Sequence, residues 1–157
     1  GGHTYAAGLS LKEENLDAFT QRFLKLAADE IIPEQMTPQI DIDAVLDLQD
    51  INAKFMSELK KMNPFGPDNQ KPVFCSLGVK DYGTSKLVGK DLEHIKLELI
   101  DDKSNTPIHG IAFGMHQHNT HIKNMKPFNI CYTIEENTYN GNTSLQLMVK
   151  DIKENDI

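Results

Sequence analysis

The chain has 157 residues, of which 39% are hydrophobic and 25% charged, and its net charge is −7. That balance suits a globular protein with one sizeable core or two small ones, and it excludes a chain that grips phosphate backbones through bulk positive charge. No apolar run is long enough to cross a membrane, no basic-then-apolar leader opens the sequence, and two cysteines are too few for a disulfide framework. These features fit the cytoplasm, with Cys75 and Cys131 as buried, reduced thiols. The absence of an initiating Met points to a processed protein or a piece of a longer one.

In chain order, the first stretch is "GGHTYAAG". Glycines let backbone N–H groups approach an anion closely, and a neighbouring imidazole can donate to a phosphate oxygen. Gly1, Gly2 and His3 are therefore candidate phosphate contacts, with a cloning remnant as the plain alternative. Ser10 to Glu13 reads as a capping box. Leu16, Phe19, Phe23, Leu24 and Leu26 follow at near-helical spacing, which predicts an amphipathic helix over about 12–32, ended by Pro33 and Pro38. "QIDIDAVL" alternates as a short strand should. "DINAKFMSELKKM" returns to helical spacing, with Asp50 as its expected cap, and stops at the turn cluster "NPFGPDN".

From Lys71 the pattern changes to short segments of strand character: "KPVFCSLGVKDYG", "SKLVGK", "HIKLELIDD", "IHGIAFGM", "FNICYTIEEN" and "TSLQLMVKDI". Turn signals separate them, and "HQHNTHIKNM" is the best candidate for a short helix. The expected fold is mainly β with an N-terminal α segment: a small five- to six-stranded antiparallel barrel preceded by helices. A helical insert after the third strong strand resembles the oligonucleotide/oligosaccharide-binding (OB) layout.

Charge is uneven along the chain. Residues 1–62 carry 6 basic and 11 acidic side chains, and residues 63–157 carry 10 and 12, so the second part is less hostile to an anion. Single-stranded nucleic acid needs flat rings for stacking and cations along the backbone. Tyr82, Lys86, Lys90, His94, Lys96 and Tyr139 are the candidates for that role, while Phe113 and Tyr132 fit the core. His116, His118 and His121 have spacing that zinc accepts, but no carboxylate or cysteine lies near them in sequence. A solvated turn without a metal is the expectation. No two-metal Asp/His cluster, Ser-His-Asp layout or phosphate-cradling Lys loop is legible, so no catalytic residue is assigned.

"GGHTYAAG" and the helix behind it resemble the Gly-Gly-His signature of the DHHA1 domain that accompanies DHH phosphoesterases. "NPFGPDNQKPVF" resembles a segment of RecJ-type exonucleases through Pro64, Phe65, Gly66, Asn69, Pro72, Val73 and Phe74. "LEHIKLEL" (His94, Lys96), "GIAFGM" and "ENTYNGNTSLQLMVKDI" (Asn137, Tyr139, Gly141, Gln146) resemble later strands of the same family. Asp68 and Lys71 depart from the usual residues of the turn.

The resemblance implies the C-terminal part of a single-strand-specific 5′→3′ DNA exonuclease of repair and recombination. Residues 1–35 would be the tail of DHHA1, 36–70 a connector and 71–157 the OB domain. Gly1, Gly2 and His3 would line substrate phosphate. The ligands for Mn²⁺ or Mg²⁺ would belong to a DHH domain preceding Gly1, so this chain would hold no cofactor and would not be catalytic alone. Its partners would be that domain and single-stranded DNA, bound weakly by this portion, with no membrane. Self-association through the exposed 12–32 helix is a further expectation. The alternative is a stand-alone OB module for single-stranded nucleic acid or a protein partner.

Overall fold

The computed structural model describes residues 1–3, 6–104, 106–139 and 141–155, with the side chains of His3 and Tyr139 outside the description. The chain divides into two compact units, residues 1–39 and 40–157.

In the first unit, β1 (Gly2–His3) and β2 (Ala6–Ala7) form a small antiparallel hairpin. Gly1 and Gly8 close its base: the Gly8 N–H donates to the Gly1 carbonyl at 2.8 Å and the terminal amine donates to the Gly8 carbonyl at 2.9 Å. A Cβ on Gly2 would stand 3.1 Å from that of Ala7, so the close approach of the two strands favours glycine there. Helix α1 spans Leu16–Glu30 and follows a 3-10 turn at Glu13–Asn15. The expected Ser10 capping box does not form, because the preceding 3-10 turn carries the chain into the helix and neither it nor α1 has a side-chain cap. The helix ends as expected before Pro33, with Ile31 and Ile32 already extended. Its apolar stripe is exposed: Phe19 is 39%, Phe23 58% and Leu26 53% accessible.

The second unit begins with β3 (Ala44–Val45), shorter than the alternating stretch suggested, and α2 (Ala53–Lys60). The cap of α2 is Asn52 rather than Asp50. Its side-chain oxygen accepts from the N–H groups of Lys54 and Phe55 at 3.0 and 3.1 Å, the geometry that satisfies first-turn donors, whereas Asp50 ends a separate 3-10 turn. After the turn cluster come β4 (Phe74–Asp81), β5 (Lys86–Val88), β6 (His94–Ile100) and β7 (Ile108–Ala112). A 3-10 turn at His116–His118 leads into α3 (Asn119–Lys123), then β8 (Phe128–Tyr139) and β9 (Asn142–Glu154). All six segments read as strands are strands, and the short helix lies where "HQHNTHIKNM" put it.

The sheet order is β3-β4-β8-β9-β7-β6-β5, and a further β4–β6 pairing brings the sheet back on itself. The result is a seven-stranded mixed sheet, not a five- to six-stranded antiparallel one. β3 runs parallel to β4, and β7 runs parallel to β9. The second parallel pair has a geometric cause. β4, β6, β7, β9 and β8 form a ring of five, and an odd number of strands cannot alternate direction all the way round.

Val79, Ile95, Leu97, Leu99, Ala112, Phe128, Tyr132, Ile134 and Leu147 fill the interior at 0% exposure, joined by Ile122 from α3. Gly110 sits where β7 is tightest: an added Cβ would meet the Leu147 carbonyl at 3.4 Å and Leu97 Cβ at 3.5 Å. Inside, Ser76 Oγ donates to the Leu46 carbonyl at 2.7 Å, so the Tyr132 hydroxyl 2.7 Å away donates to Ser76. Burial holds the Tyr132 hydroxyl above its ordinary range. Among the described residues, no helix is long and apolar enough to cross a membrane.

Candidate nucleic-acid interface

The β5–β6 ribbon gathers most of the predicted binding residues. Lys86 stands directly opposite Lys96, and Val88 opposite His94. On β6 the side chains of Ile95, Leu97 and Leu99 are buried, so His94, Lys96 and Glu98 face outward. Lys90 lies in the turn joining the two strands. Tyr82 follows β4, is 51% exposed and donates its backbone N–H to the Glu98 carbonyl at 2.8 Å.

A buried clasp sets the ribbon's position. Asp81, 1% exposed, accepts from the Ser85 N–H at 3.1 Å, and Ser85 Oγ accepts from the Glu98 N–H at 2.9 Å. Burial pushes the Asp81 carboxyl up, but the Ser85 hydroxyl, the Gly83 and Ser85 amides and Lys123 outweigh it and hold it below its ordinary value. At the other end, Glu93 Oε2 accepts from the Asp91 N–H at 3.0 Å and crosses the face of Gly89, whose φ of +98° makes the turn.

Both ring nitrogens of His94 have a polar neighbour. The Gly114 N–H donates to its Nδ1 at 3.0 Å, which leaves the proton on Nε2, 3.2 Å from Glu93 Oε1. Its ring meets Phe113 edge-on, with centroids 4.9 Å apart. Phe113 is 54% exposed and so is not the core residue its sequence context suggested. It continues the outward phase of His109 and Ile111 on β7. Tyr132, by contrast, is core.

Beside the ribbon, Lys96, His109, Asn137, Ser144 and Gln146 line a groove of about 360 Å³. A second cavity of about 430 Å³ shares His109 and Ser144 with it and extends past Lys103, Ser104 and Gln49. His109 and Ser144 escaped sequence reading. The only trace of His109 was its period-two phase against the buried Gly110 and Ala112.

Ion pairing engages several of the other lysines, though among the described residues not Lys54, Lys126 or Lys150. Lys60 pairs with Glu136 at 2.7 Å, Lys71 with Glu135 at 2.6 Å, Lys103 with Asp47 at 2.8 Å and Lys80 with Asp102 at 3.1 Å. Among the described residues, Lys86, Lys90 and Lys96 have no such carboxylate. Opposed like charges are mildly destabilising, so the Lys86–Lys96 pair has no structural advantage to explain it.

The other predicted residues stand apart. Tyr139 ends β8, two residues beyond Asn137, and its side chain lies outside the described part. Gly1 and Gly2 belong to the first unit, and the side chain of His3 is likewise outside the described part. The histidine-rich segment is not a solvated turn. His118 Nδ1 lies 2.8 Å from Glu154 Oε1. His121, with a side chain 8% exposed, places Nδ1 3.2 Å from Glu154 Oε2 and Nε2 3.1 Å from the Pro127 carbonyl. Glu154 is far away in sequence, which is why the partner was invisible there. The ring nitrogens of His121 are both taken by these acceptors, so the cluster does not fit a metal ion. Among the described residues, no group of three or more His, Cys, Asp or Glu could hold one.

The family model for the RecJ OB domain matches residues 42–151. The chain belongs to the RecJ OB-domain family. Its similar curated relatives are the single-stranded-DNA-specific exonucleases RecJ of Haemophilus influenzae (28% identical over 153 residues, 98% of this chain and 26% of that protein) and Escherichia coli (27% over 152 residues, 97% and 26%). The Bacillus subtilis RecJ is 28% identical over 152 residues, 96% of this chain and 19% of that protein. The chain thus spans about a quarter or less of the length of these relatives. In fold it is similar to the crystal structure of Thermus thermophilus RecJ in complex with Mn²⁺, with a TM-score of 0.75 and 20% identity over 100% of this chain and 22% of that one. The OB ring and its helical insert account for the strand pairings above, and Lys86 and Lys96 lie on the outward face of β5 and β6 within the matched residues.

Proposed function

We propose that this chain is the substrate-holding C-terminal part of a RecJ-type 5′→3′ single-stranded-DNA exonuclease in cytoplasmic DNA repair and recombination. The observation that carries the reading is the placement of three lysines, Lys86, Lys90 and Lys96, on one β-ribbon beside a polar groove in a RecJ OB domain, with no ion-pair partner among the described residues. Lysines track a phosphate backbone. Tyr82 and Phe113 offer faces for base stacking, and Asn137, Gln146 and His109 offer hydrogen-bond groups to sugars and bases. Residues 1–35 would end a DHHA1 domain and present Gly1, Gly2 and His3 to substrate phosphate. Phosphodiester hydrolysis belongs to metal chemistry outside this chain. Mn²⁺ or Mg²⁺ there would activate water, and the residues described here hold the strand and orient it.

The test is fluorescence anisotropy with a labelled oligothymidylate and a matched duplex across a salt series. Weak binding that prefers the single strand is expected. The slope of log K against log salt should be about −2 if three phosphates are neutralised. Combining Lys86→Glu with Lys96→Glu should lower affinity at least ~10-fold. Salt-insensitive duplex binding, or no effect of the double reversal, would overturn the reading.

A further inference from the structure

Cys75 on β4 and Cys131 on β8 are the two cysteines of the chain, and they stand directly opposite each other in the antiparallel ladder. The Cys75 carbonyl accepts from the Leu46 N–H at 2.8 Å, on the β3 side of β4. A strand residue points its N–H and C=O to the same side, so neither of these Cys75 groups faces β8. Cys75 and Cys131 are therefore a non-hydrogen-bonded pair, the register in which opposing Cα atoms come to about 4.5 Å and side chains are closest. That spacing falls inside the ~4.4–6.8 Å window of disulfides.

Both thiols are free, Cys75 buried and Cys131 half-buried. The row across the sheet runs Val45, Cys75, Cys131, Asp151. Burial first, then the facing Cys75 sulfur, and last the Asp151 carboxylate push the Cys131 thiol up to about 11. The effect of the Cys75 sulfur on Cys131 is what contact between them produces.

We propose that Cys75 and Cys131 form a reversible cross-strand disulfide within the folded chain, with a glutathione-type disulfide as oxidant. The half-exposed Cys131 is the entry point. Its thiolate attacks one sulfur of the oxidant, forms a mixed disulfide and expels one small-molecule thiolate. The Cys75 thiolate then attacks the Cys131 sulfur and expels the second. The two protons lost by the cysteines go to the two released thiols, and the two electrons reduce the oxidant. The bond joins β4 to β8 beside the register shift at Cys131/Tyr132 and closes a span of 56 residues of sequence. Because the attacking species is the thiolate, closure is slow at neutral pH and accelerates about tenfold per pH unit below the Cys131 value.

The experiment incubates the reduced 157-residue chain with excess oxidised glutathione at pH 7, 8 and 9 until thiol content is constant. Expected are loss of both thiols under denaturing titration, a mass lower by two hydrogens without a glutathione adduct, and one peptide pair joined through Cys75 and Cys131. The product should run as a monomer without reductant, melt at a higher temperature and revert on adding a dithiol. Cys75→Ser should instead stop at a persistent glutathione adduct on Cys131. Thiols that remain free at equilibrium would overturn the proposal. So would a persistent adduct in the unmodified chain, disulfides found only in dimers, or an oxidised form that melts lower.

Discussion

The two ends of the OB domain use charge in opposite ways. Around α2 and α3, several charged groups are consumed by the fold: Lys60 with Glu136, Lys71 with Glu135, Lys123 with Asp81, and Glu154 between His118 and His121. On the β5–β6 ribbon, Lys86 and Lys96 oppose each other without a counter-charge. The first arrangement ties elements together. The second leaves positive charge unspent at the lip of a groove, which is what a ligand with a phosphate backbone requires. A net charge of −7 therefore says little about either surface, because partition rather than total decides what an anion meets.

The comparison is broken most directly by removing Glu154. Glu154→Ala leaves the nearly buried His121 without its carboxylate and should cost about 2–3 kcal/mol, since one partner of a charge-assisted contact stays behind. Urea denaturation measures the loss, and oligonucleotide affinity should stay unchanged. Asp81→Asn should cost about 1–2 kcal/mol at pH 7. The folded Asp81 carboxyl lies below its unfolded value, so its contribution is complete above about pH 4 and is lost as pH falls through the folded value. The stability gap between the two proteins should therefore close once acid brings the pH below the folded value. A gap that persists at that pH would mean the Asp81 charge is not what holds the clasp.

On the ribbon the effects should reverse. Lys96→Glu should leave stability equal or slightly higher, because it turns a like-charge pair into an opposite-charge one, while single-strand affinity falls several-fold in anisotropy. Phe113→Ala should also spare stability. It removes a ring rated at about 1 kcal/mol per stacked base, at the low end for an exposed site. The smallest effect is expected for Lys90→Ala: a reduction of about 0.7 in the salt slope if it touches one phosphate.

The strands were legible because period-two alternation and dense turn clusters both act locally. "HIKLEL" shows its buried Ile95, Leu97 and Leu99 without any knowledge of partners. Direction was not legible locally. The parallel β7–β9 pair follows from closing a ring of five, a property of the whole. Caps failed where two candidates lay close together: Asn52 beats Asp50 by position alone, and Ser10 lost to a 3-10 entry. Phe113 misled because "IAF" is apolar on both faces, so alternation could not say which side is wet. Of the candidate site, Lys86, Lys96 and His94 were found by residue type, whereas His109 and Ser144 needed the register that sets β7 beside β9. Glu154 could not be linked to two histidines more than thirty residues earlier by any local rule.

The short helix α3 has a consequence for how the domain opens. Five residues are far below the length at which a helix survives alone in water. Here Ile122 is buried, Lys123 reaches Asp81 on β4, and His118 and His121 hold Glu154 at the end of β9. Its helicity is thus borrowed from the first and last strands of the ring at once. Amide hydrogens at the end of this helix, such as the Asn124 N–H bonded to Thr120 and His121, should exchange only when those strands separate, which makes them a built-in gauge of ring closure for the whole domain.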